Sequence, residues 1–226
     1  MPTIISPEAT SSQRYLLWGS AGHAKVLASA ISLRGGEVIA LFDNEDVPSA
    51  LTDVPLFIGE SAFSAWLKTV GSIHQIRALV AIGGARGRDR LRIHAMFLAY
   101  GLQVTALIHP DASVCTTSHI GDGSQILAKA VVAAEAKLGD ACIINHAASV
   151  DHECILGDGV HIAPGATICG CVQLGDNVMV GAGAIILPRI KVGFDAIIGA
   201  GAIVTKDVPS SCIVMGNPSR VVRKIN

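Results

Sequence analysis

Apolar residues recur at every sixth position from Ile120 to Val204 without a miss, through Ile126, Val132, Leu138, Ile144, Val150 and onward to Ile198. Two residues before each stands a small or medium side chain, never a charge, from Ser118, Ser124, Ala130, Ala136 and Cys142 to Ala196 and Ala202. Glycine follows the aliphatic residue in every third hexad, at Gly121, Gly139, Gly157, Gly175 and Gly193. A helix repeats near 3.6 residues and a strand near two, and neither resets every six. The pattern is the hexapeptide repeat of a parallel β-helix, with three short sides to a coil of about eighteen residues. About six coils stacked about 4.8 Å apart make a prism roughly 28 Å tall. In each side the aliphatic residue and the one two before it point inward. The next two residues turn a corner, where glycine, asparagine and aspartate are expected.

The first hundred residues follow a different rhythm. Tyr15–Trp18 reads as a strand running into Gly19-Ser20-Ala21-Gly22-His23, and an amphipathic helix follows to Arg34, stopped by Gly35-Gly36. Glu37–Phe42 reads as a second strand ending at Asp43-Asn44, Ser61–Val70 as a helix, and Ala78–Ile82 as a third strand ending in Gly83-Gly84. Arg86–Tyr100 is a helix closed by Gly101, and Val104–Ile108 a last strand. Strands alternating with helices at this spacing predict a parallel sheet with right-handed crossovers, about half of a doubly wound dinucleotide domain. Such a half has room for one nucleotide. Gly19-x-x-Gly22 lacks the middle glycine of the dinucleotide fingerprint, but it opens a helix whose unpaired N–H groups favour a phosphate.

The chain thus divides into a flexible segment 1–13, an α/β half-Rossmann-like nucleotide-sugar unit 14–105, and a β-helix 106–226 with a C-terminal tail. The first unit is expected to cap the N-terminal end of the prism, and the tail after Pro209 the other.

Composition narrows the classes. Half of the residues are hydrophobic but only 4% are aromatic, which suits narrow coils filled by small and branched aliphatics. A net charge of −1 gives no support to nucleic-acid or anionic-membrane binding. No apolar run approaches the roughly 18 residues of a membrane span. Met1–Gln13 has neither a basic region nor an apolar core, so it does not read as a secretory signal. Cys142 and Cys154 fall on inward positions, and Cys169-Gly170-Cys171 has the wrong spacing for a zinc knuckle. Free thiols in a cytoplasmic protein follow.

One segment, Ile144 to Cys154, is dense in polar side chains. On the hexad frame Val150 and Cys154 face in, while Asp151, His152 and Glu153 lie around a corner. A lone corner histidine is most often a solvated side chain. His152, however, lies between two carboxylates that can orient its ring, and Gly170, eighteen residues on, falls directly over it. His161 sits on an outward face. A zinc hydratase built on His146, His152 and His161 meets the ligand count, but these residues lie on successive corners or out of phase.

Gly-Ser-Ala-Gly-His-Ala-Lys-Val at residues 19–26, Ala81-Ile82-Gly83, Asp151-His152-Glu153-Cys154, Val160-His161-Ile162 and Gly216-Asn217-Pro218 together resemble one family. It is the sialic acid O-acetyltransferase and UDP-amino-sugar N-acetyltransferase family of bacterial surface-glycan synthesis, and the resemblance runs from Tyr15 to the C-terminus. It implies a left-handed β-helix, a homotrimer packed through flat walls, and acetyl-CoA as co-substrate with no metal. It implies His152 as general base, polarised by Glu153 or Asp151. His161 and Gly170 would contact the thioester, with the Gly170 N–H as oxyanion donor. Ala182 and Ala200 would line the pantetheine groove, and Gly216 and Pro218 would close over it. Ala21, Gly22 and His23 would hold the pyrophosphate, Asp43 and Asn44 the nucleoside, and Gly83 and Arg88 the length of the nucleotide.

The implied reaction is direct attack of the amine of a UDP- or dTDP-linked 4-amino-dideoxy sugar on the thioester. An O-acetyltransferase would use the same histidine on a hydroxyl. A nucleotide-sensing scaffold without catalysis is the reading from a different class. Ala21 stands where the family commonly has serine or glycine, and Gly84-Ala85 replaces a polar pair, which leaves the nucleotide contacts and the sugar open.

Overall fold

The computed structural model describes residues 12–225. The first unit contains strand β1 (Gln13–Trp18), helix α1 (Gly22–Leu33), β2 (Gly36–Asp43), β3 (Leu56–Ile58), α2 (Gly59–Leu67), β4 (Ile76–Val80) and α3 (Gly87–Ala99). The strands form one parallel sheet in the order β3-β2-β1-β4, which the strand–helix alternation predicts. Most of the segment expected to be flexible, 1–11, lies outside the described residues, and Gln13 already pairs with Gly36.

Two elements differ from expectation. The edge strand β3 has three residues directly after Pro55, too short to show a period. The expected last strand, 104–108, does not join this sheet. Gln103 makes a single bridge to Arg77, and Leu107–Ile108 instead pairs with Gln125–Ile126 as the first rung of the prism.

The few aromatic residues are concentrated in this unit. Trp18, Phe42, Phe63 and Phe97 are fully buried on one face of the sheet, with the Trp18 and Phe63 ring centroids 5.4 Å apart in edge-on contact. Each such ring contributes roughly 1.5–3 kcal/mol by leaving water.

The second unit is a left-handed parallel β-helix of three sheets. From Leu107 to Val204 the rungs pair in register eighteen residues apart, as in Ile143 with His161 and Ser149 with Thr167, and the closing strand pairs sixteen along, Ile197 with Ile213. The inward ladder is buried from Ile126 to Val204, and its first member, Ile120, is partly covered. Corners take left-handed backbone at every sixth residue from Gly123 to Gly201. Lys129, Glu135, Ala141, Glu153, Cys171 and Arg189 adopt it as well as glycine and Asn177. The coil geometry therefore overrides single-residue preference, at some cost in strain.

The eighteen-residue glycine period has a steric cause: a Cβ at Gly157 would come within 2.7 Å of the Asp176 nitrogen in the next coil. Beside that column the aspartates stack. The N–H of Asp140 donates to Asp158 Oδ1 at 2.8 Å, and that of Asp158 to Asp176 Oδ1 at 2.9 Å.

The first unit does not cap the end of the prism. It lies along one wall and the adjoining corner. Contacts climb the coils from Arg34 on the Ile108 carbonyl, through His23 on Gln125 and Arg90 on Ala141 and Gly159, to Arg88 on Asp195. The outward residues of this wall include Leu127 and Ile143, fully buried against α1 and β1. Burying them favours the side over the end. The tail does cover the far end: Cys212–Met215 continues this wall and Arg220–Lys224 folds back antiparallel upon it.

Candidate active site

Val150 and Cys154 are pulled fully inside, so the three residues between them must turn outside, with Glu153 at φ 57°. The Asp151 carboxylate accepts the His152 backbone N–H at 2.7 Å and so fixes the turn. Glu153 Oε2 lies 3.0 Å from His152 Nδ1. A carboxylate can only accept, so Nδ1 carries the proton and Nε2 keeps its lone pair.

The ring lies against Gly170, where a Cβ would stand 2.5 Å from Nε2. Any larger residue would displace the imidazole. The Gly170 N–H has no acceptor among the described residues. An imidazole with a free Nε2, a carboxylate on its other nitrogen and a free N–H above it can take a proton and stabilise a developing oxyanion.

A second cluster occupies the preceding corner and the wall beside it. His161 is 5% exposed, covered by the β4–α3 loop. Its Nδ1 faces the Gly84 carbonyl at 3.3 Å and its Nε2 faces Asn145 Nδ2 at 3.2 Å. Asn145 Oδ1 lies 2.9 Å from His146 Nδ1. The carbonyl fixes every direction: His161 donates from Nδ1 and accepts at Nε2, and His146 donates from Nδ1. That leaves the His146 Nε2 lone pair free at the surface. Burial, aided by the nearby Arg90 charge, lowers His161 to a pKa of about 4.

His23 forms a parallel chain. Its Nε2 lies 2.7 Å from Gln125 Oε1, and Gln125 Nε2 donates to the Val80 carbonyl at 2.8 Å. Burial lowers the His23 pKa as well. Arg90, fully buried, donates to the carbonyls of Ala141, Gly159, Ile82 and Gly84, and burial lowers it to about 10. It ties α3 and the β4–α3 loop to the prism.

A cavity of about 480 Å³ opens at the strand ends of the first unit. Ala21, His23, Asp43, Asn44 and Gly83 all line it, and Gly22 begins α1 beside it. No side chain caps α1, so its first N–H groups remain for an anion. Ser20 and Arg86 also line the cavity and were not singled out by sequence. Asp43 is already engaged, taking the Ser20 N–H at 2.7 Å and the Glu45 N–H at 3.2 Å. Arg88 is elsewhere: it pairs with Asp195, whose carboxyl it holds below the usual range. Arg86 takes the place at the cavity that was expected of Arg88.

The remaining residues separate by corner. Ala182 and Ala200 are exposed and stack above His146. Gly165 donates to the His146 carbonyl at 3.0 Å, Gly183 to that of Pro164 at 3.0 Å, and Gly201 to that of Ala182 at 2.9 Å. Gly216 and Pro218 lie exposed past the last rung of the covered wall. His152 and Gly170 belong to the next column of corners. Within one chain, the base and the expected groove and cavity are a full side of the prism apart.

The model of the bacterial transferase hexapeptide (six repeats) matches residues 135–170 and 171–206. The acetyltransferase domain of PglB from Neisseria gonorrhoeae FA1090 is 33% identical, over 93% of this chain and 100% of that one, with a TM-score of 0.83. PerB from Caulobacter crescentus, solved with CoA and GDP-perosamine, is 30% identical over 92% and 97% of the two chains, at a TM-score of 0.85. WeeI from Acinetobacter baumannii AYE is 25% identical over 92% and 99%, at 0.80. No curated protein matches the sequence.

Proposed function

The chain belongs to the hexapeptide-repeat acetyltransferases that include the UDP-amino-sugar N-acetyltransferases, and we propose that it moves an acetyl group from acetyl-CoA to the amine of a nucleotide-linked amino sugar. The observation that carries this reading is the His152–Glu153 pair under the free N–H of Gly170. His152 Nε2 takes a proton from the sugar amine as its nitrogen attacks the thioester carbonyl. Glu153 steadies the imidazolium, and the Gly170 N–H holds the oxyanion. Collapse of the tetrahedral intermediate breaks the carbon–sulfur bond, the sulfur takes the proton, and the products are the acetamido sugar and free coenzyme A. The perosamine enzyme, solved with both CoA and a nucleotide sugar, supports both substrate classes.

The nucleotide end fits the cavity at the strand ends, with its pyrophosphate at the start of α1 and its nucleoside toward Asp43 and Asn44. The exposed Ala182 and Ala200 corners fit a pantetheine arm that needs close backbone approach. His161, under Gly84, borders this groove rather than lying open in it.

A homotrimer follows from the split of the site. The His152 corner of one copy would face the cavity and Ala182 corner of the next, closing three equal sites by cyclic symmetry. Among the described residues no helix is long and apolar enough to cross a membrane, and a reaction that draws on acetyl-CoA for surface-glycan synthesis belongs in the cytoplasm.

The test is a coupled assay of coenzyme A release with UDP-, dTDP- and GDP-linked amino sugars, alongside the corresponding hydroxyl sugars. Release with an amino sugar only is expected, and release with a hydroxyl sugar only would overturn N-acetylation. Mixing inactive His152→Ala chains with chains crippled in the cavity by Gly22→Asp should restore part of the activity, because some mixed trimers then hold one intact site.

A further inference from the structure

The corner that bears His152 also carries one metal-ligating side chain the acetyl transfer does not use, Cys171, beside the two it does. Cys171 lies one coil above Glu153, in left-handed backbone at φ 60°, with its Sγ 3.7 Å from Glu153 Oε2. Glu153 Oε2 is in turn 3.0 Å from His152 Nδ1. One donor atom from each of the three residues lies within 4.8 Å of the other two. Tetrahedral zinc, with bonds of about 2.0–2.3 Å, sets its ligands roughly 3.3–3.6 Å apart. Two of the three separations already bracket that range, and closing the third needs only rotation of side chains. His152 and Glu153 are more than half exposed, so that rotation meets little packing. A thiolate, an imidazole and one carboxylate select zinc over magnesium or calcium.

We propose that His152, Glu153 and Cys171 form an inhibitory zinc site that switches the enzyme off by changing the tautomer of its base. The inhibitory part rests on the reading of His152 as general base. Without metal, His152 carries its proton on Nδ1, facing Glu153, and presents the Nε2 lone pair. Zinc takes the Nδ1 lone pair, so the ring proton moves through solvent to Nε2 and the imidazole stays neutral. The Cys171 thiol loses its proton to solvent as the sulfur–zinc bond forms. Glu153 supplies the third bond and water the fourth. One proton is released per zinc bound, and two anionic ligands balance the charge of the ion. Nε2, now an N–H, has no lone pair with which to accept the amine's proton.

The experiment uses the full-length enzyme with buffered free Zn²⁺, and Co²⁺ as a spectroscopic stand-in. One Co²⁺ per chain should give a thiolate-to-cobalt charge-transfer band. Zn²⁺ should inhibit reversibly, with EDTA restoring turnover. Cys171→Asn keeps the left-handed corner, since asparagine accepts that backbone readily, but removes the soft ligand. It should abolish the band and raise the half-inhibiting zinc concentration at least about tenfold, with metal-free turnover within about twofold of the parent. Cys171→Ser should behave likewise. Absence of the band, or equal zinc inhibition in parent and Cys171→Asn, would overturn the site. A full band with unimpaired turnover would leave the metal site standing and overturn His152 as the base.

Discussion

At Asn145-His146 and at Asp151-His152, one hexad apart, the side-chain oxygen of the first residue accepts the backbone N–H of the histidine, at 2.8 and 2.7 Å. Both histidines then stand exposed on a corner. From there the corners diverge. His146 Nδ1 faces the neutral amide oxygen of Asn145, already bound into the chain that ends at His161 and Gly84. His152 Nδ1 faces the Glu153 carboxylate. The residue eighteen along differs as well. Gly170 offers an N–H over His152, while Pro164 stands over His146 and has none to offer. The repeat supplies one backbone frame at every corner, and two residue choices decide which corner can carry charge. A carboxylate stabilises the imidazolium that a general base becomes, and an amide oxygen does so much less.

The largest effect breaks this comparison outright. His152→Ala should lower turnover at least about a hundredfold with the melting temperature unchanged, because general-base assistance is lost without disturbing the core. His146→Ala should cost less than about tenfold and act mainly on KM for the sugar substrate, since its free Nε2 has no anionic partner and no N–H above it. Steady-state kinetics of both variants with a competent amino sugar decide it. Equal losses at the two corners would show that the Glu153 carboxylate and the Gly170 N–H do not distinguish them.

Much of this contrast is legible without coordinates, because a six-residue period is also a ruler. Counting eighteen on from His152 finds Gly170, but the left-handed residue of each corner falls three after the aliphatic one, a step beyond the two positions the pattern assigns to the turn. The first unit resists such counting, because its contacts join distant segments. β3 is too short to declare a period, and the expected strand near residue 106 reads as well for the prism as for the sheet. Side-wall docking had one signal, the large apolar Leu127 and Ile143 at outward positions on either side of the inward ladder. Arg90 had another: it shares a helix face with the buried Gly87, His94 and Phe97, so it was the arginine of α3 to expect inside, while Arg88 points away. The Asn145–His161 contact crosses between coils at a separation of sixteen residues, which no single hexad reveals.

An effect of intermediate size sharpens the comparison through pH, because the Asn145 corner is tied to a buried histidine and the Asp151 corner is not. His161 is held near 4 by burial, against about 6.5 when unfolded. Between those values the unfolded chain binds a proton that the folded chain refuses. Stability is therefore fully present above about 6.5 and falls as pH drops toward 4, by about 2 kcal/mol at pH 5 from this residue alone. Below about 4 both states are protonated and the loss levels off. His23, also lowered by burial, adds in the same direction. Urea unfolding at pH 7, 6 and 5 should show this slope, and His161→Gln should flatten it. A slope unchanged by His161→Gln would mean that the buried ring titrates no differently from a free one.

The smallest effects separate the two carboxylates that flank His152. Glu153→Gln keeps a side-chain oxygen for Nδ1 but removes the charge, making this corner resemble the one at Asn145. It should cost roughly tenfold in turnover with little change in KM, the signature of a contact that strengthens only as the imidazolium forms. Asp151→Asn should change turnover by less than about threefold. The reason lies one hexad earlier: Asn145 makes the same bond to the next residue's N–H with an amide oxygen, so the turn does not need the charge. Kinetics of the two variants at one pH suffice to test the assignment. A larger loss in Asp151→Asn than in Glu153→Gln would transfer the polarising role to Asp151 and demand that its carboxylate swing away from the backbone it now holds.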